Sequence, residues 1–294
     1  SQALPQTSGR RQVDHFLPSA LVAELPVIAD ELAALATLES QHPGEDGSAR
    51  LLVKLADGQM VETVLLPRDG VCVSTQIGCA VGCRFCMTGT TGLIRQLGSA
   101  EIVAQVALAR TRRPVKKVVF MGMGEPAHNL DNVLEAIELL GTAGNIGHKN
   151  LVFSTVGDPR VFETLPRGPV KPALAISLHT TRADLREQLL PRAPRIEPAE
   201  LLRAACDYAD AVTWPLQVQW TLLAGINDDA ATLEALMRAF VESRVTPYYL
   251  HHGDLAPGTA HFRRPRRRPS PRGGGRRVLE AHGDPHEPRG HPGL

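Results

Sequence analysis

The sequence predicts an α/β fold, a partial (β/α)6 barrel behind a small N-terminal helical and hairpin region. Two observations predict it. From residue 71 onward, short apolar segments alternate with helix-patterned ones six times over about 180 residues. Apolar strands alternating with helices imply a parallel sheet covered by helices, and six units fall short of the eight of a complete barrel. Before residue 69 the pattern differs, and after 250 it fails. The expected division is therefore 1–68, 69–250 and an atypical basic tail over 251–294.

Residues 17–40 read as helix interrupted at Pro26, followed by a loop with Pro43, Gly44, Asp46 and Gly47. Residues 50–56 and 59–66 alternate in hydropathy around Asp57-Gly58, a hairpin signal. Strands are then expected at 71–76, 115–121, 150–155, 173–178, 216–223 and 244–250. Helices are expected at 99–111, 129–142, 158–165, 182–190, 198–210 and 229–242. Ser99 and Glu101 suit the start of the first of these.

The 294 residues are 43% hydrophobic and include 26 Gly and 23 Pro, which is enough for a full core with many turns. No apolar run is long enough to cross a membrane, and no basic-then-apolar leader is present, so a cytoplasmic protein without membrane contact is expected. The formal net charge of +1 hides an asymmetry. Residues 261–294 carry nine Arg against Glu280, Asp284 and Glu287, leaving the body net acidic. Any nucleic-acid contact in the body must come from a local patch. Arg110, Arg112, Arg113, Lys116 and Lys117 are the best such patch, with a solvated helix end as the competing reading. The tail has almost no core-forming residues, so disorder is expected there.

Of five cysteines, Cys72, Cys79, Cys83 and Cys86 lie within fifteen residues, and Cys206 stands apart. Such clustering points to metal or redox chemistry rather than a disulfide framework. The spacing Cys79-x3-Cys83-x2-Cys86 can hold three corners of an iron–sulfur cluster, leaving one iron open. Structural zinc and buried structural thiols are the alternatives. The triplet follows the first strand of the βα series, so it falls at the C-terminal mouth of the barrel, where such folds place chemistry. Gly78 and Gly82 let the loop wrap closely.

The tract CVSTQIGCAVGCRFCMTGTTG at 72–92 resembles the radical S-adenosylmethionine (SAM) enzymes. With VETV at 61–64, VVFMGMGEPAHNLDNVLEAI at 118–137, FSTVG at 153–157 and PALAISLHTTRADLREQLLP at 172–191, it resembles the RlmN/Cfr family over about residues 50–225. That resemblance implies a radical SAM barrel with a [4Fe-4S] cluster and SAM. It also implies methylation of adenine C2 in large-subunit ribosomal RNA and in some tRNAs. It makes Cys79, Cys83 and Cys86 the cluster ligands, with Phe85 packed beside them. Gly124, Glu125, Ser154, Ser177, Leu178 and His179 become SAM contacts. Cys72 becomes the thiol that resolves a covalent RNA–protein adduct, and Glu62 a proton acceptor. A flavodoxin-like reductant and a monomeric state follow from the same resemblance.

The sequence departs from that family late in the chain. No cysteine follows Cys206, so the family's methyl-carrying cysteine has no counterpart at 261–294, and its late asparagine has none either. Cys206 reads as a core residue of helix 198–210. Residues 225–263 instead resemble lysine 2,3-aminomutases, with Asp254 at a substrate-ammonium position, although that family's pyridoxal-phosphate lysine is unmatched. An aminomutase-like enzyme and a non-catalytic chimeric or frameshifted product are therefore the alternatives to an RNA methyltransferase.

Overall fold

The computed structural model describes residues 18–242. The strand expected at 244–250, Asp254 and the tail lie outside the described residues. Helix α1 (Ser19–Ala34) holds Pro26 within it. It does not run to residue 40, because Ala36–Pro43 form strand β1. The local Leu- and Ala-rich sequence favours helix, and antiparallel pairing of β1 with β2 (Ala49–Leu55) overrides that preference. The expected hairpin forms between β2 and β3 (Met60–Leu66). Its alternation buries Leu51, Val53, Leu55, Val61 and Leu65 on one face.

The strand expected over 71–76 breaks in two. Strand β4 (Gly70–Cys72) pairs with β3, after which the chain leaves the sheet. The amides of Thr75 and Gln76 both donate to the carbonyl of Met123, a loop acceptor that draws the backbone out of register. Strand β5 (Gln76–Gly78) then pairs with β6 (Leu93–Gln96) in a separate antiparallel ribbon that the sequence reading did not anticipate. The cysteine loop lies between these two strands.

From there the elements follow the expected order. Helix α2 (Ser99–Arg110) leads to β7 (Lys117–Phe120), α3 (Leu130–Gly141) to β8 (Leu151–Thr155), and α4 (Pro159–Thr164) to β9 (Ala173–Ser177). Helices α5 (Ala183–Leu189) and α6 (Pro198–Val212) precede β10 (Gln217–Gln219), and α7 (Ala230–Glu242) follows it. Gly98 is the residue before α2, and its amide donates to the Glu101 carboxylate, so Glu101 rather than Ser99 satisfies the helix start. One sheet results, in the order β1-β2-β3-β4-β7-β8-β9-β10. Its β1–β4 half is antiparallel, and β4, β7, β8, β9 and β10 run parallel. The N-terminal hairpin thus continues directly into the barrel wall.

The two faces of this wall carry different cores. On one face Val118, Phe120, Leu151, Phe153, Leu174 and Ile176 pack against α2, α3, α4 and α6. The other face is narrower and lined by Cys72, Val119, Val152, Ala173 and Ala175, with Met121 and Trp214 beside them. Small residues there allow the sheet to curl, and the inner face opens at the C-terminal strand ends.

The basic patch has structural partners at the opposite end of the barrel. Arg110 donates to the carbonyl of Gly144 at 2.6 Å, and Arg113 to those of Gly47 (3.0 Å) and Leu66. Lys116 pairs with Asp69 at 2.8 Å. Lys117 begins β7, so these side chains tie loops beneath the strands, remote from the mouth.

Candidate active site

The cysteine loop winds tightly on itself. Cys79 N donates to the carbonyl of Gly92 at 3.0 Å, and Cys86 N to that of Cys83 at 3.0 Å. Gly78 has φ +74°, and a Cβ there would lie 2.0 Å from the Gly92 carbonyl oxygen, so only glycine fits. Arg84 N donates to the carbonyl of Leu189 at 3.0 Å, seating the loop on α5. Cys79, Val81, Cys83 and Phe85 pack there with Val156, Leu185, Leu189, Leu190 and Leu223.

All three thiols are free, and Cys83 and Cys86 are partly exposed. They lie close enough to act on one another. Burial, reinforced by Cys86 and Cys79, pushes the Cys83 thiol up to about 12. Burial raises Cys79 as well, with Glu125 and Cys86 adding to it. Three thiols on one closely wound loop are a donor set that fits a cluster, whose irons each take a thiolate.

Glu125 follows β7 at the mouth and is almost fully buried. Its Oε1 accepts from Ala127 N (3.2 Å) and its Oε2 from Val156 N (3.1 Å). Burial raises its carboxyl to about 7 against these bonds and one from Thr155. An arriving ammonium would favour the carboxylate form against this burial. Gly124 sets it in place with φ +106°. The Gln76 side chain fills the space a Cβ would take there, and its Oε1 accepts from Glu125 N at 2.7 Å. Gln76 Nε2 continues the chain to Gln96 Oε1 at 2.7 Å, and Gln96 Nε2 to the carbonyl of His128 at 2.8 Å.

Ser154 and Ser177 meet at a residue that the sequence reading missed. Both hydroxyls reach Oε1 of Gln219, at 3.4 and 3.2 Å, while its Nε2 donates to the Met121 sulfur at 3.2 Å. The carbonyl end of Gln219 takes the serine protons, which leaves the serine lone pairs for a ligand's donors. An alternating strand with a Gln in it carries no signal for this role.

Leu178 turns its side chain into the helix-facing core, so only its main chain lies at the mouth. His179 sits in the left-handed region (φ 61°) and its ring meets Phe85 edge-on at 4.7 Å. Its Nδ1 accepts from Thr221 N at 3.0 Å, and its carbonyl accepts from Asn227 at 2.8 Å. Asn227, fully buried, also accepts from Leu223 N at 2.7 Å. It latches the segment after β10 onto His179, and the sequence reading passed over it. Burial, aided by the Arg186 charge, holds the His179 imidazole down at about 3. In the unfolded chain the same ring gains a proton near 6.5. Stability is therefore full above about 6.5 and falls as pH drops towards 3, by up to about 1.4 kcal/mol per unit. His179→Gln removes this component. Urea midpoints of the metal-free protein at pH 7 and pH 5 check it: the wild type should lose more stability between them than the variant.

Cys72 is buried on the inner face, opposite Val64 on β3 and Val119 on β7. Burial pushes its thiol up to about 12, so it holds its proton at neutral pH. Glu62 lies two residues from Val64 on β3, opposite Leu52 of β2. Its carboxylate pairs with Arg50 at 3.0 Å, and its carbonyl accepts from Ser74 Oγ at 2.5 Å. It reaches neither Cys72 nor the cysteine loop in this arrangement. Cys206 is half-buried on the outer helix α6.

Comparison with known proteins follows the same lines. The radical SAM superfamily profile matches residues 73–236. A protein named a probable RNA methyltransferase from Leptothrix cholodnii is 71% identical over 238 residues, covering 81% of this chain and 69% of its own length. Another of that name from Aromatoleum aromaticum is 64% identical over 265 residues, covering 90% and 74%. A match leaving only a tenth of the chain outside must cross residue 225, so the aminomutase-like stretch continues the same relatives' sequence and is not a junction. A crystal structure of a radical SAM methyltransferase from Sphaerobacter thermophilus superposes with a TM-score of 0.67 and 35% identity, covering 77% of this chain and 69% of that one.

Proposed function

This chain belongs to the radical SAM superfamily, whose members use a [4Fe-4S] cluster and SAM, and on that premise we propose that it is an RNA methyltransferase acting on C2 of adenine in large-subunit ribosomal RNA. One observation carries the reading. Three thiols, a buried carboxyl and two serine hydroxyls gather at one barrel mouth, where a cluster and an amino-acid-bearing cofactor would sit side by side. The relatives' printed names support RNA as the substrate.

Adenine C2 is electron-poor and lacks a nucleophilic lone pair, so polar methyl transfer cannot reach it. The bound cluster and SAM together supply a carbon radical able to take hydrogen from an unactivated C–H bond. Cys79, Cys83 and Cys86 would hold the cluster as its three thiolate ligands, fewer than a full set of four. Glu125 accepts the SAM ammonium through its carboxylate, and Gln76 fixes its backbone. Ser154 and Ser177, held by Gln219, accept from the ligand's remaining donors. His179, neutral, keeps Phe85 against the loop. Cys72, protonated and buried, becomes a nucleophile only once a base takes its proton. Glu62 is the candidate base, and it must first leave Arg50. The electron comes from a flavodoxin-like reductant acting on a monomer.

The test is anaerobic reconstitution with iron, sulfide, SAM, reductant and ribosomal RNA, followed by mass spectrometry of the nucleosides. The expected products are 5′-deoxyadenosine and 2-methyladenosine, and Cys72→Ala should keep the first while losing the second. Deoxyadenosine alone from the wild type would sink the methylation reading.

A further inference from the structure

The mouth contains a buried positive charge that none of these roles uses. Arg186 on α5 is 3% exposed. Its Nη2 donates to the carbonyl of Val156, the residue whose amide binds Glu125, and its Nη1 to the carbonyl of Pro194 at 3.5 Å. Its Nε has no partner. Among the described ion pairs none includes it. Cys83 and Glu125 lie near enough to act on it electrostatically, and His179 feels its charge. Its neighbours Leu185 and Leu189 pack against Cys79 and Cys83.

A buried guanidinium is normally retained with an anion. Here the buried guanidinium meets only main-chain carbonyls, with Nε unpartnered and no ion pair among the described residues, so its charge awaits an anion. Three thiolates on a [4Fe-4S] core carry a net negative charge, and reduction adds another. We propose that Arg186 is the counter-charge of the cluster site, set beside Cys83 so that the group bound there is easier to reduce. This rests on the reading above that Cys79, Cys83 and Cys86 hold a cluster. Arg186 acts through the cluster and touches no substrate, so it is a positioning residue.

The experiment uses the reconstituted full chain with Arg186→Gln and Arg186→Lys, and reads iron content and midpoint potential by redox titration followed by electron paramagnetic resonance, without SAM. Lysine keeps the charge and should stay near the wild-type midpoint. Glutamine should lower the ratio of reduced to oxidised cluster about tenfold at the wild-type midpoint, equivalent to about 59 mV for one electron. Should the glutamine variant shed its iron while the lysine variant keeps it, the charge is needed even for retention, which also supports the proposal. A loaded glutamine variant with the wild-type midpoint overturns it alone, as does equal iron loss from both variants. If the wild type takes up no cluster, the reading beneath the proposal fails, and the proposal fails with it.

Discussion

Cys83→Ala is expected to lose the cluster and with it SAM cleavage. Changing groups that merely support a metal ligand costs roughly 10–100-fold, so loss of a ligand should exceed about 100-fold in deoxyadenosine formed. The side chain is partly exposed, so the metal-free variant should unfold within about 1 kcal/mol of the wild type. Iron analysis and a denaturant titration on the same preparation separate lost ligation from lost fold. Cys206→Ala is the control. It lies on the outer helix α6 and should keep its iron and its deoxyadenosine yield.

The second large effect is steric. Gly124→Ala places a Cβ 2.6 Å from Gln76 Cβ and Cγ, at φ +106°. The backbone strain costs about 1–3 kcal/mol, and crowding a buried neighbour typically another 1–3. Gln76 cannot retreat cheaply, because it holds Glu125 N and Gln96 together. The variant should lose about 2–5 kcal/mol by urea denaturation and bind SAM more weakly by calorimetry. Gly92→Ala provides the contrast. It has φ +73° but nothing within 4 Å of the added atom, so it should pay the backbone strain alone. Equal losses from the two variants would mean that the Gln76 contact is unimportant.

Much of the fold was legible in the sequence, and the physics explains which part. The cysteine triplet is a local signal set by spacing along the chain, whereas Gly124-Glu125, Ser154 and Ser177 were marked only by the family resemblance. The hairpin at Asp57-Gly58 and helices α2 to α7 are likewise local. What escaped depends on partners far away in sequence. Residues 36–43 became a strand because β2 lies beside them. The β5–β6 ribbon exists because Met123 captures two amides. Gln219 matters only because Ser154, 65 residues away, shares its carbonyl. Arg186 carries no signal of its role in the sequence, and only the packed structure shows its 3% exposure. For the basic patch the reading of a structural helix end fits better than a nucleic-acid site, since Arg110, Arg113 and Lys116 bond nearby carbonyls and Asp69.

Glu62 is where the geometry demands most from the chemistry. Its ion pair with Arg50 is surface-exposed and contributes little to stability, so the carboxylate can leave it at small cost. Cys72 by contrast is fixed in the inner core.

The central claim is that the barrel mouth holds a four-iron cluster with one iron free for SAM. Mössbauer spectra of protein reconstituted with isotopically enriched iron, taken with and without SAM, test it most directly. The account predicts a four-iron cluster in which a single iron becomes distinct from the rest when SAM is added. A spectrum that SAM leaves unchanged, or iron bound only as isolated ions, would contradict it.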